Sequence, residues 1–323
     1  MRKNIKIFDH EEMSAKIIKE RLNDKVKEPI NVDDVIDILL GNNDKLKYIT
    51  RIIDGPYDID KLDYVSRDAY HTGEVEYGGI DYIRIIDGFR VLDVELLISS
   101  KTLNFIMNCF TATQYMYFNV YYHKTSRIFD FMLFEAMKMM PDCINEIINN
   151  IDLFLEIDDY NFINYVKKRI NKTDANNNYK ESYEILKNIR NRKKKYKNIY
   201  QFQLTLDVSS CKEERLDSLK KTLEEEYKDL NVKVDYSAKV KPIRVDTKVF
   251  YEWMEEDMIY DENTHKAINL FNVSLASYEF LKKLQLLFYI YIDDKIASDE
   301  RYKKRINDLC DVAKDRLIRI QRV

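Results

Sequence analysis

The sequence predicts a mainly α protein: a helical core over residues 1–198 followed by a small α+β region over 199–323. Three observations carry this. Only 6 Gly and 4 Pro occur among 323 residues that are rich in Lys, Glu, Leu and Ile, a composition that favours helix. Apolar residues recur at three- and four-residue spacing as far as Lys197. From Tyr200 to Val208 the pattern changes to strict alternation, that of a half-buried strand.

In chain order, His10-Glu11-Glu12-Met13 opens a helix with Ile17, Ile18 and Leu22 on one side. Asn31 caps a second, with Asp33 and Asp34 in its first turn and Gly41 as its stop. Residues 44–53 read as a short helix that runs into a Gly55-Pro56 turn. A helix then starts at Asp58 or Ile59 and stops at Gly73. On it, Asp60, Asp63/Tyr64, Arg67/Asp68 and His71 form one ionisable stripe, while Leu62, Val65, Ala69 and Tyr70 are available to pack. Residues 75–82 read as loop, and Ile83, Ile85 and Arg90–Leu92 as short strands. Residues 100–140 form the longest periodic segment, long enough to contain a break, and Pro141 ends it. Its methionines at 132–140 read as soft core filling.

Helix continues over 144–170, with Asp158 as a cap, and Asn171–Tyr179 reads as a polar loop. The basic run that reaches Lys197 is the kind of patch that binds nucleic acid, but the overall balance argues against that partner. After it come a strand at 200–208, an amphipathic helix at 212–230 and a strand at Val232–Tyr236, an order that suggests a parallel pair. A strand at Leu287–Ile292 and a helix from Asp299 to about Gln321 close the chain.

A formal net charge of −3 exerts no global pull toward nucleic acid or anionic membrane. The four cysteines (109, 143, 211 and 310) form no CxxC or Cys/His cluster, which argues against a zinc ribbon, and reduced thiols in a cytoplasmic protein are expected. Met-Arg-Lys is followed by no apolar h-region, which gives no signal peptide. Residues 102–122 lack formal charge, but the Asn, Thr and Gln scattered through them indicate a buried helix, not a membrane span.

The stretch Asp58-Ile-Asp60-Lys61-Leu-Asp63-Tyr64-Val-Ser-Arg67-Asp68, closed by Gly73, meets every fixed position of a motif close to D-x-D-(K/R)-x-D-Y-x-x-R-D-x-x-x-x-G. It resembles the fourth motif of the HD-domain phosphohydrolases, in the branch containing the deoxynucleoside triphosphate triphosphohydrolases. Met116–Thr125 resembles the same family's M-Y-x-x-V-Y-x-H-K helix, and Leu155–Tyr160 its Leu-Asp-Asp-Tyr turn. The resemblance covers roughly residues 8–200 and is diffuse after that.

Carried over position by position, the resemblance implies that Asp60 is a metal ligand and that Lys61 faces the phosphates. It implies that Tyr64 and Asp68 contact triphosphate and sugar, and that Tyr121 lies against the deoxyribose and discourages a 2′-hydroxyl. His123 and Lys124 match a pair that in some relatives faces a regulatory nucleotide site. The implied cofactor is a divalent metal (Mg, Mn or Fe), the implied ligand a deoxynucleoside triphosphate and the implied assembly a homo-oligomer. The activity would be water attack on phosphate, giving deoxynucleoside and triphosphate.

Two departures qualify this. None of the four histidines (10, 71, 123 and 265) precedes an Asp, so the His-Asp metal dyad is missing. Thr113 stands where the family often has an Arg, about ten residues before the His-Lys pair. One Asp does not make a metal site that needs about three protein ligands. Three readings follow: the C-terminal piece of a phosphohydrolase, a natural non-catalytic relative that keeps nucleotide contacts or an assembly surface, or a chain completed by a separate polypeptide.

Overall fold

A computed structural model describes residues 9–170, 177–207, 213–236, 258–277 and 283–321. Val208, Cys211, Lys212 and positions 171–176 of the expected loop lie outside them. The mainly α expectation holds, with α+β structure toward the C-terminal end.

Local capping sets the first elements. Asp9 Oδ1 accepts from the Glu11 and Glu12 amides and starts α1 (His10–Ile17). Asn31 does the same through the Asp33 amide for α2 (Val32–Leu39). Next come α3 (Lys47–Ile53) and α4 (Ile59–Thr72), joined by the Gly55-Pro56 turn. Only glycine fits at 55, because a Cβ would stand 2.1 Å from the Arg51 carbonyl oxygen. Gly73 ends α4 at φ +84°, as a C-terminal glycine should. Leu62, Val65 and Ala69 are buried, but Tyr70, expected to pack, is 73% exposed.

Ile83 and Ile85 are not strand residues: they lie in α5 (Tyr82–Asp87). Asp81 caps that helix by accepting from the Arg84 amide, a local bond that outweighs the alternation of the isoleucines. β1 (Phe89–Leu92) and β2 (Glu95–Ser99) follow as an antiparallel hairpin. The periodic 100–140 segment does break. α6 (Leu103–Met116) passes into a π-helical turn at Tyr117–Tyr121, and α7 (Lys124–Met139) starts afresh with His123 as its cap. Met132 and Met140 are buried in the core, as expected of filler.

α8 (Pro141–Asn149), α9 (Ile151–Glu156) and α10 (Asp159–Ile170) continue the helical layer. Asp158 caps α10 through the Tyr160 and Asn161 amides, at 3.0 and 2.7 Å. Asn177–Tyr179, expected as loop, form the first turn of α11 (Asn177–Arg190). α11 packs on α7, where the buried Ser182 hydroxyl donates to the Ala136 carbonyl at 3.0 Å.

β3 (Tyr196–Asp207), α12 (Glu213–Glu226) and β4 (Lys233–Tyr236) follow in the expected order. The two strands run parallel to each other, as expected, but are not hydrogen-bonded neighbours. β7 (Lys283–Asp293) runs antiparallel between them, giving the order β3-β7-β4. Leu286 to Ile292 are all buried. Leu286, Phe288, Ile290 and Ile292 share a core with α12 and the last helix, α13 (Lys303–Gln321). Leu287, Tyr289 and Tyr291 face the other way, into a core with α7 and α11. Beyond residue 199 the chain also supplies β5 (Ile259–Asp261) and β6 (Lys266–Ile268) to the hairpin sheet, β5 pairing with β2 in parallel.

Two charge clusters fasten α7 to the β3-β7-β4 sheet. Arg127 donates to both oxygens of Asp235, at 2.6 and 3.0 Å. Removing Asp235 leaves a half-buried guanidinium without that acceptor, so Asp235→Ala should cost about 2 kcal/mol of unfolding free energy, read from the urea midpoint. Glu135 accepts from Tyr196 and from Lys195 Nζ, with Lys233 at 3.5 Å. Burial alone would raise its pKa, but these partners outweigh burial and hold it below the ordinary 4.5. A depressed carboxylate stabilises the fold at neutral pH and loses that contribution as pH falls through its folded pKa. Glu135→Gln should therefore melt lower than the unaltered chain at pH 7, and the gap should narrow by about pH 3 in a thermal series.

Candidate functional site

The site grows from the start of α4. Asp58 and Lys61 turn inward there, at 4% and 6% exposure. Asp58 Oδ1 accepts the Lys61 amide at 2.7 Å, and Lys61 Nζ donates to Asp58 Oδ2 and, at 2.8 Å, to the Gly55 carbonyl. Burial raises the Asp58 pKa against the pull of the Lys61 charge. With both side chains inside, Asp60 lies on the exposed side of the helix. Tyr64 and Asp68 follow it at four-residue intervals on the same face.

Tyr121 meets that face from the π-helical turn. Its hydroxyl donates to Asp68 Oδ2 at 2.7 Å, across 53 residues of sequence. Its ring stands edge-on to Tyr64 (centroids 6.2 Å, 64°) and to Tyr117 (5.0 Å, 73°). The Tyr64 hydroxyl is buried and has no hydrogen-bond partner among the described residues. Burial is the first cause that raises the pKa of both Tyr64 and Tyr121, with neighbouring phenols and, for Tyr121, the Asp68 bond adding to it. Both remain protonated hydroxyls able to donate at any physiological pH.

The structure thus brings Tyr64, Asp68 and Tyr121 into contact, with Asp60 one turn away on the same helix. Lys61 is directed into the turn. His123 and Lys124 are exposed at the start of α7, where His123 Nδ1 accepts from the Thr125 amide at 3.3 Å. Thr113 is buried, its hydroxyl bonded back to the Cys109 carbonyl at 2.8 Å. The donors around Asp60 do not fit a divalent ion. Among the described residues the group of His, Cys, Asp and Glu close enough to hold one is Asp9–His10–Glu11, which does not include Asp60.

Sequence reasoning missed a polar concavity of about 250 Å3, lined by Arg84, Arg90, Lys101 and Glu262. Glu262 accepts from the Ser99 hydroxyl at 2.8 Å and pairs with Arg90 at 2.9 Å. The Ser99 bond leads the causes that lower its pKa, and Lys101 adds to them. Arg84 lies over the Phe105 ring at 5.4 Å. No periodicity links these positions, and Glu262 arrives only because β5 pairs with β2, so nothing in the linear pattern marked them.

The Tyr121–Asp68 bond is testable directly. Tyr121→Phe and Asp68→Asn should each cost about 1 kcal/mol in chemical denaturation, and the double variant less than their sum, since they remove one shared interaction. A fully additive double variant would mean that the two side chains do not meet in solution.

Residues 80–250 match the family model described as HD associated region. A deoxynucleoside triphosphate triphosphohydrolase SAMHD1 homolog of Dictyostelium discoideum is 28% identical over 222 residues, 64% of this chain and 40% of that protein. Uncharacterized protein YwfO of Bacillus subtilis is 30% identical over 128 residues, 38% of this chain and 29% of that one. The chain therefore spans well under half the length of these curated relatives. Among solved structures, a phosphohydrolase from Bacteroides thetaiotaomicron aligns at TM-score 0.60 and 20% identity, covering 90% of this chain and 73% of that one. A hypothetical protein from Aquifex aeolicus aligns at TM-score 0.59 and 23% identity, covering 96% and 72%. At these identities the structural likeness is one of fold. Among the described residues no helix is long and apolar enough to cross a membrane. The matched region fills more than half of the sequence, and with it the chain belongs to the HD-domain phosphohydrolase family.

Proposed function

We propose that this chain carries the nucleotide-facing part of a metal-dependent phosphohydrolase acting on deoxynucleoside triphosphates, and that alone it is catalytically impaired. The observation that carries the reading is the Tyr121–Asp68 hydrogen bond with the Tyr64 ring beside it. It supports an aromatic wall one turn along α4 from the exposed Asp60. In this reading Tyr121 lies against the deoxyribose and Asp68 fixes the direction of its hydroxyl. A ring held in that way leaves little room for a 2′-hydroxyl. Lys61 reaches a phosphate only by exchanging its bond to Asp58 for one to the ligand. Asp60 contributes one carboxylate to a metal centre whose other ligands come from outside this chain, in cis or in trans. The chemistry such a centre would supply, with Asp60 as one of its ligands, is polarisation of a phosphate and a lowered pKa of a bound water. His123 and Lys124, exposed just past Tyr121, are assigned to a regulatory nucleotide.

The second reading is a non-catalytic nucleotide-binding or oligomerisation module. It is favoured by the donor set at Asp60 and by the exposed apolar side chains Tyr70, Val75, Tyr82 and Ile83, at 73, 64, 50 and 60%. Both readings expect a homo-oligomer in a cytoplasmic setting.

Equilibrium dialysis with dATP and ATP tests binding. The expected outcome is saturable binding that prefers the deoxynucleotide, with the preference reduced in Tyr121→Ala; absence of binding to every nucleotide would leave the oligomerisation module. In a purified-protein assay with Mg²⁺ or Mn²⁺ and each deoxynucleotide, little or no turnover is expected. Robust metal-dependent turnover that is lost in Asp60→Ala would refute the impairment. Light scattering across a concentration series should show more than one subunit.

A further inference from the structure

An apolar concavity that does not include Tyr121 lies between α7, α8, α9, α10 and α11. It measures about 870 Å3, within the range that holds small-molecule ligands. Met137, Ile148, Phe154, Ile163, Leu186 and Ile189 line it. The polar residues include Asp158, Asp159, Asn164 and Arg190. The two acids are already accommodated: Asp158 accepts two amides as the α10 cap, and Asp159 sits in the first turn of that helix, where the dipole favours a negative charge. Arg190 differs. It is the last residue of α11 and begins the basic run Arg190, Arg192, Lys193, Lys194, none of which forms an ion pair with a described residue.

An apolar chamber with a cation at its edge and further cations just beyond is complementary to one chemical shape, a hydrocarbon tail with an anionic head. A neutral apolar ligand would leave the cations unused, and a cationic amphiphile would have to compete for Asp158 and Asp159 with the α10 N-terminus that already engages them. We propose that this cavity binds a single-chain fatty carboxylate, with its tail among the α7, α8, α10 and α11 side chains and its carboxylate on Arg190. This gives the basic run a role that nucleic acid does not, and it is independent of the nucleotide reading.

The test is titration calorimetry of the full chain with dodecanoate below its critical micelle concentration and with dodecan-1-ol. One-to-one saturable binding of dodecanoate is expected. Loss of one charge-assisted hydrogen bond in Arg190→Gln should weaken dodecanoate about tenfold and leave dodecan-1-ol unchanged. Ile148→Trp should fill the chamber and abolish binding of both. A variant less prone to misfolding is Tyr160→Trp, since Tyr160 lines the cavity and is 85% exposed. Its fluorescence should be quenched by 12-bromododecanoate beyond any quenching of Trp253 in the unaltered chain. The proposal is overturned by absence of saturable binding, or by undiminished binding in an Ile148→Trp protein with an unchanged melt. It is equally overturned if Arg190→Gln weakens the alcohol as much as the acid, or if the chain sediments with anionic vesicles without binding free dodecanoate.

Discussion

The structure depends on one strand being buried on both faces. β7 contributes seven consecutive buried residues from Leu286 to Ile292. A strand of that kind needs cover on both sides, as a continuous apolar run does in any doubly covered sheet. Its even-numbered side chains are covered by α12 and α13, its odd-numbered ones by α7 and α11. Each large apolar side chain so buried is worth about 1.5–3 kcal/mol of transfer free energy, so the helical layer and the sheet are held to each other mainly through this strand.

That constraint reaches the candidate site through Tyr122. Tyr289, on β7, donates its hydroxyl to the Tyr122 carbonyl at 3.0 Å. Arg127 lies over the Tyr122 ring at 5.2 Å while its guanidinium is held by Asp235 of β4. Tyr122 is the first residue past the π-helical turn, so the sheet fixes the point at which the helix stops and restarts. Tyr121, its neighbour, is thereby presented to Asp68 and Tyr64. The C-terminal sheet thus sets the backbone from which the aromatic wall projects.

What the sequence made legible was what local chemistry decides. α4 could be placed because Asp58 caps it and Gly73 ends it, both within its own length. α5 could not, because in six residues the alternation of Ile83 and Ile85 imitates a strand and only the Asp81 bond tells otherwise. Asn177–Tyr179 are polar enough to read as loop, but packing of α11 against α7 draws them into helix. The parallel pairing expected of β3 and β4 failed for a non-local reason: the strand that separates them comes about fifty residues later in the chain. At the site, the row Asp60, Tyr64, Asp68 follows from helical spacing, whereas the approach of Tyr121 was available only through family resemblance. The Arg84, Arg90, Lys101 and Glu262 concavity had no linear signature at all.

The inward turn of Lys61 bears most on how the site is built. In an isolated helix a Lys one residue after Asp60 would extend into water. Here its ammonium crosses back to Asp58 and the Gly55 carbonyl, and a close approach that only glycine permits at 55 brings that carbonyl within reach. Desolvating two charges costs several kcal/mol each, and their attraction offsets this only because further hydrogen bonds, from the Lys61 amide and to the Gly55 oxygen, complete the pair. The upward-shifted Asp58 carboxyl shows the desolvation side of that balance. The pair fixes the rotation of α4 about its axis. With positions 58, 61, 62, 65 and 69 inside, a period of 3.6 leaves Asp60 on the exposed side and sets Tyr64 and Asp68, both half-buried, along the boundary between that side and the core. The Gly-Pro turn and the buried pair behind it are therefore what place Asp60 in solvent on the same flank as the residues that hold Tyr121.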